Sequence, residues 1–195
     1  MTDEPLKGKL LVATPTLREP TFRRTVISVL EHSSAGALGV VINRPGDASL
    51  LDVVPPVAEL ASRPAVLFAG GPVDPTAAIA LGVLAPEAGR FTGLAEEAER
   101  LGWKPLLPPV VTVDLDVDPD VLATTVRELR VFAGYAGWSA GQLEGEIADG
   151  AWYVVDSRPM DAFDALPDRL WSAVLRRQAW PLSVVSTCPL DPTMN

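Results

Sequence analysis

The chain is 195 residues long and 48% hydrophobic, enough for one domain, residues 1–195, that buries about 70% of its unfolded surface. With 16 Lys and Arg against 25 acids the net charge is -9, which repels a phosphate backbone and argues against direct DNA binding unless a local basic patch overcomes it. Its one cysteine, Cys188, excludes an intramolecular disulfide and a multi-cysteine zinc site, and points to a reducing cytoplasm.

The opening Met1-Thr-Asp-Glu-Pro is acidic where a secretory signal is basic, and no apolar run approaches the roughly 20 residues that span a bilayer. A soluble cytoplasmic protein without membrane insertion is expected. Lys9 to Ala13 is an apolar run closed by Thr14-Pro15, suited to a strand because the residue before proline is pushed out of helical geometry. Thr25 to Leu30 and Leu38 to Ile42 are rich in β-branched residues, and Ser33-Ser-Ala-Gly36 between them makes a hairpin signal. Ala65 to Phe68, Ala77 to Leu84 and Val110 to Leu115 are further strand candidates bracketed by Pro or Gly. Asp118 caps an expected helix that starts at Pro119 and carries Val121, Leu122, Thr125, Val126 and Leu129 at helical spacing.

Val131 to Tyr135 reads as a strand running into a Gly-rich bend, and Ser139 with Gln142 fits a capping box at the start of a helix that Gly150 ends. Leu143 and Ile147 form the apolar face of that helix, with Glu144, Glu146 and Asp149 largely elsewhere. Trp152, Val154 and Val155 resume a strand. After Pro167, Leu170, Trp171, Val174 and Leu175 make one helical stripe, with Arg176 and Arg177 at the favourable end of the dipole, and Val184-Val185 is a last strand candidate. Several strands precede the first convincing helix, so the order predicts an α+β domain: a mixed or largely antiparallel sheet with packed amphipathic helices.

Four ordered blocks give a family resemblance. They are Leu10-Leu-Val-Ala-Thr-Pro15 through Gly36-Ala-Leu-Gly-Val-Val-Ile-Asn-Arg-Pro45, then Gly70-Gly-Pro-Val73, then Gly134-Tyr-Ala-Gly-Trp138 with Gly141-Gln-Leu-Glu144, and finally Leu170-Trp171 with Asp191-Pro192 and Asn195. On these the chain resembles the AlgH/YqgE family of bacterial proteins. The resemblance implies an uncharacterised protein, labelled at most as a transcriptional regulator. Two departures stand out: Glu19-Pro20-Thr21-Phe22 replaces the family's usual Asp-Pro-Asn-Phe, and Leu30 stands where relatives often carry cysteine, so a thiol switch at that position cannot operate here.

Candidate chemistry is sparse. His32 is the only histidine, so every imidazole mechanism passes through it; Ser28, Ser33 or Ser34 are possible partners, but no Gly-x-Ser-x-Gly elbow occurs. The plain structural reading is that His32 hydrogen-bonds the end of a strand. Arg44, in Asn43-Arg44-Pro45, is placed at a turn to receive a carboxylate or phosphate, or to pin the loop through an acid such as Asp47 or Asp74. Gly70-Gly71-Pro72 lacks the frame of a phosphate loop and reads as a tight turn or a close backbone approach.

Asp114, Asp116, Asp118 and Asp120 begin like a calcium loop, but Pro119 and Thr125 stand where glycine and glutamate are needed; Asp114 and Asp116 are expected on a solvated strand face. No metal or cofactor is expected. Cys188 reads as a small, partly buried residue before Pro189. Tyr135, Trp138, Trp152 and Tyr153 are either core or pocket wall, with Trp138 the strongest pocket candidate.

The candidate ligand-binding set is therefore His32, Asn43, Arg44, Tyr135, Trp138 and Gln142, expected to meet on one concave surface that takes a small polar or anionic ligand. The favoured function is a non-enzymatic binding or regulatory protein acting through a protein partner or small ligand. The alternative is a small-molecule hydrolase or transferase using His32 and Arg44, which must then converge; a scaffold or oligomer component is a third reading.

Overall fold

β1 (Lys9–Ala13) is buried along almost its whole length, with Leu10 and Val12 entering one core and Leu11 and Ala13 another. Neighbouring residues on a strand face opposite sides, so a strand without a polar face requires a sheet covered on both sides. A computed structural model of the chain, describing residues 5–85 and 98–189, has that arrangement. The acidic opening residues Met1 to Glu4 and the closing Asp191-Pro192 and Asn195 lie outside the described residues.

The strands are β1, β2 (Val26–Ser33), β3 (Gly36–Val41), β4 (Pro45–Ser49), β5 (Val66–Ala69), β6 (Val73–Leu84), β7 (Pro105–Leu107), β8 (Val110–Val113), β9 (Val126–Ser139) and β10 (Trp152–Asp156). They form one curled sheet in the order β10-β1-β2-β3-β9-β6-β8-β7, with β4 paired to β5. Every pairing is antiparallel except that of β5 with β9. Helices among the described residues include α1 (Leu50–Val53), α2 (Pro119–Thr125), α3 (Gln142–Ala148), α4 (Pro167–Arg176) and α5 (Leu182–Val185). The expected α+β class and largely antiparallel sheet are therefore observed. Among the described residues no helix is long and apolar enough to cross a membrane.

α4 covers one face of the sheet with Leu170, Trp171, Val174 and Leu175, and the Trp171 indole donates to the Ala13 carbonyl at 2.8 Å. α3 covers the other face at β1, β2 and β9 through Leu143, while α2 lays Leu122 against β6, β8 and β9. α3 ends at Gly150 (φ 77°), where the Gly150 and Ala151 amides return to the Ile147 and Glu146 carbonyls at 3.0 and 2.9 Å. This Schellman geometry needs the left-handed residue that glycine supplies.

The Gly70-Gly71 signature has a concrete task. β9 pairs with β3 near its end and with β5 near its middle, and Gly70 spans the seam by donating to the Ala133 carbonyl and accepting from the Val41 amide, both at 2.8 Å. A Cβ on Gly70 would lie 2.3 Å from the Gly134 carbonyl oxygen, and one on Gly134 would lie 2.6 Å from that of Gly71. The close-approach reading of this run accounts for it.

Four local expectations are corrected. The helix from Pro119 stops at Thr125, because Val126 and Leu129 belong to β9, where a register shift against β6 lets both enter the same core although they are three residues apart. Val184-Val185 lies in the short helix α5 instead of a strand; Trp180-Pro181 precedes it, and the Val184 and Val185 amides return to the Pro181 carbonyl. Asp114 and Asp116 follow β8 in a turn closed by the Asp114 carboxylate accepting from the Asp116 amide, while Asp118 caps α2 as expected. Cys188 is exposed, not partly buried.

Candidate functional site

The six candidate residues separate into three places. The β2–β3 hairpin puts His32 at its turn end, whereas Asn43 and Arg44 follow β3 beside the start of β2. From Val26 to His32 is six residue steps along β2, roughly 20 Å at 3.3 Å per residue.

At the turn end His32, Ala37 and Trp138 occupy one row across β2, β3 and β9. The Leu6 amide donates to His32 Nδ1 at 3.2 Å, so the neutral ring carries its proton on Nε2 and donates it to the Glu144 carboxylate at 2.7 Å. That hydrogen bond holds the Glu144 carboxyl below its ordinary value. Glu146 Oε2 accepts both indole N–H groups, from Trp138 at 2.9 Å and Trp152 at 2.8 Å, and the two rings meet edge to face at 6.3 Å. Gln142 Oε1 accepts from the Ser139 amide at 3.1 Å, and its Nε2 donates to Glu146 at 3.0 Å. Half of the expected capping box is thus formed: Gln142 reaches back to Ser139, but Gly141 occupies the N-cap position.

This end is a clamp. Trp138 and Trp152 are 7% and 4% exposed, both in the core beneath α3. Tyr135 lies three residues from Trp138 on β9 and packs against the opposite core, the one closed by α4. The expected single concave surface is not formed.

The other end is different in kind. Asn43 is buried, accepting from the Val26 amide at 2.8 Å and donating to the Arg24 carbonyl at 2.9 Å, which fixes where β2 begins. Arg44 Nη2 donates to the carbonyls of Arg23 at 2.8 Å and Pro20 at 3.5 Å, so it pins the loop through neutral oxygens and not through Asp47 or Asp74. Arg24 has a left-handed backbone (φ 59°), its guanidinium lies 3.8 Å over the Trp171 ring, and its Nη2 donates to the carbonyls of Cys188 and Pro189. Burial lowers the Arg24 guanidinium from its ordinary value; Cys188 opposes this and the nearby Arg23 charge adds to it. Glu19 closes the preceding turn by accepting the Thr21 and Phe22 amides, both at 3.0 Å, so this acid performs locally at the departure from the family pattern.

These segments surround a cleft of about 520 Å³ lined by Arg18, Arg23, Arg24, Asn43, Arg44 and Asp168. Four guanidinium groups face one carboxylate, on a chain whose net charge is -9. Asn43 and Arg44 were candidates from sequence; Arg18, Arg23 and Arg24 were not. The available signal was their spacing, since all four arginines fall between positions 18 and 44 of an acidic chain. Among the described residues no group of three or more His, Cys, Asp or Glu is placed to hold a metal ion.

A curled α+β sheet with helices on both faces and an arginine-lined cleft at one end of its β2–β3 hairpin defines the class of molecule. The chain belongs to the AlgH-like (DUF179) family, whose model matches residues 10–183. A UPF0301 protein of Streptomyces coelicolor is 46% identical over 190 residues, covering 97% of this chain and 95% of its own, and one of Thermobifida fusca is 47% identical over 199 residues. Among solved structures, a crystal structure of a Corynebacterium diphtheriae protein aligns with TM-score 0.85 at 33% identity, covering 96% of this chain and 94% of that one. The solution structure of AlgH from Pseudomonas aeruginosa aligns with TM-score 0.65 at 29% identity, covering 96% of each chain.

Proposed function

We propose that this AlgH-like protein is a cytoplasmic, non-enzymatic binding protein that takes a small anionic ligand in the arginine cleft. Any regulatory effect then runs through that ligand or a protein partner. One observation carries the reading: Arg18 and Arg23 line the cleft without a hydrogen-bonding or ion-pairing partner among the described residues, beside Arg24 and Arg44, whose side-chain hydrogen bonds go to neutral carbonyls, with the exposed Glu19 carboxylate near Arg44 as a partial counter-charge. A carbonyl orients a guanidinium without cancelling its charge, so the cleft retains a positive field. The hydrolase or transferase alternative required His32 and Arg44 to converge; they lie at opposite ends of a hairpin, and both His32 ring nitrogens are engaged.

Thermal unfolding with a panel of small anions tests this. A ligand present at 100 times its dissociation constant stabilises the folded state by about 2.7 kcal/mol. At least one di- or trianion should raise the melting temperature saturably, less so in high salt, and Arg23→Gln should reduce the effect. A panel that leaves the melting temperature unchanged at millimolar concentration would overturn the reading. Duplex DNA binding tighter than about micromolar at physiological salt would replace it with a literal DNA-binding function.

A further inference from the structure

We infer that the ligand of the arginine cleft is a small molecule recognised by a phosphate or diphosphate group, an inference that rests on the anion-binding reading above.

Charge comes first. Four lining arginines against Asp168 leave three positive charges at full ionisation, or two when the Glu19 carboxylate near Arg44 is counted, and a single carboxylate would neutralise only one. Donor geometry comes second. Each guanidinium offers five N–H donors, and Arg24 and Arg44 spend only Nη2 on protein carbonyls, leaving their Nε and Nη1 groups without protein partners among the described residues. Arg18 and Arg23 add two complete forks. A carboxylate presents two coplanar oxygens and is satisfied by one fork; a terminal phosphate presents three oxygens in a tetrahedral array and accepts forks from several directions. Arg18, Arg23 and Arg24 come from the β1–β2 connection and Arg44 from beyond β3, so their donors enter from separate segments.

The third point concerns the rest of the ligand. No aromatic ring is among the residues that line the cleft, and the Trp171 ring beneath Arg24 is buried and covered by that guanidinium. A nucleobase would find no aromatic stacking surface there. Recognition falls on the anionic head, and the volume of about 520 Å³ lies within the usual range for small-molecule sites.

Isothermal titration calorimetry on the full chain, with pyrophosphate, glycerol 3-phosphate, citrate and acetate as probes at low and physiological salt, tests the assignment. Pyrophosphate should bind one per chain, glycerol 3-phosphate more weakly, citrate at least about tenfold more weakly than pyrophosphate, and acetate not measurably. Arg18→Gln and Arg23→Gln should each weaken pyrophosphate binding about tenfold, the scale of one lost charge-assisted hydrogen bond. Neither side chain makes a hydrogen bond or ion pair among the described residues, so circular dichroism should show both variants folded. Citrate binding as tightly as pyrophosphate would overturn the phosphate assignment while leaving the anion site standing. If no probe binds, the anion-binding reading falls with it. Unchanged pyrophosphate affinity in both variants would place binding elsewhere and overturn the inference.

Discussion

Replacing Arg130 by methionine tests how the sheet is tied to the segments that pack on it. Arg130 sits in β9 and is 2% exposed, with no carboxylate hydrogen-bonded to it among the described residues. Nη1 donates to the Ala162 and Asp164 carbonyls at 3.2 and 3.0 Å, Nη2 donates to the Arg63 carbonyl at 2.5 Å, and the guanidinium lies 4.3 Å over the Phe68 ring. Burial pulls the group down to about 10, still far enough above neutrality for it to be charged. Methionine keeps most of the stem and removes every donor. Three hydrogen bonds from a charged group, at about 1.5–3 kcal/mol each, set a gross loss of about 4.5–9 kcal/mol. Part is recovered because a buried charge no longer has to be desolvated and the Asp164 and Arg63 carbonyls can reach water, so the expected net cost is about 3–5 kcal/mol. In urea at pH 7, with a slope of about 2 kcal/mol per M, the midpoint should fall by about 1.5–2.5 M. Arg130→Lys should fall between the two, since one ammonium cannot span the three carbonyls. A methionine variant within about 1 kcal/mol of the parent would refute the reasoning and mean that water replaces the guanidinium without loss.

Glu146→Ala strands the indole N–H groups of Trp138 and Trp152 and should cost about 2–4 kcal/mol, read by chemical denaturation together with a change in tryptophan emission. Gly134→Ala forces a side chain into a left-handed position 2.6 Å from the Gly71 oxygen; at least about 3 kcal/mol of stability should be lost, whereas Gly145→Ala, in the interior of α3 with nothing within 4 Å, should be neutral or stabilising by up to about 1 kcal/mol. Thermal unfolding of the two variants checks both signs. Because the His32 hydrogen bond depresses the folded-state Glu144 carboxyl, its contribution is fully present above the ordinary value of 4.5 and is lost as pH falls through the lower folded value. The stability gap between the parent and Glu144→Gln should therefore shrink on acidification below pH ~4.5, and a gap that widens there would contradict the assignment.

Local patterns in the sequence were sufficient where the interaction itself is local. The strand at Lys9–Ala13, the hairpin of β2 and β3, the Asp118 cap and the apolar stripe of α4 follow from alternation, turn residues and 3.6-residue spacing, each within a short stretch of chain. The same local logic misplaced Val126 and Leu129, because their three-residue spacing matches a helix and fits a strand only through an irregularity in its pairing, which β6 supplies.

By itself, then, the sequence determined the family, the α+β class and the sites where the backbone must turn or approach closely. Only the tertiary structure decided which polar groups meet. His32 with Glu144 and Arg130 with the Ala162 carbonyl are 112 and 32 residues apart, and Asn43 and Arg44 are separated from His32 by the length of a strand despite their nearness in sequence. The arginine cleft shows the reason most plainly. Each guanidinium reads as an ordinary surface residue taken singly, and a site exists because the fold holds Arg24 and Arg44, through carbonyls of separate segments, beside Arg18 and Arg23, an arrangement that acts through distance in space and that order along the chain signals only as a cluster of arginines.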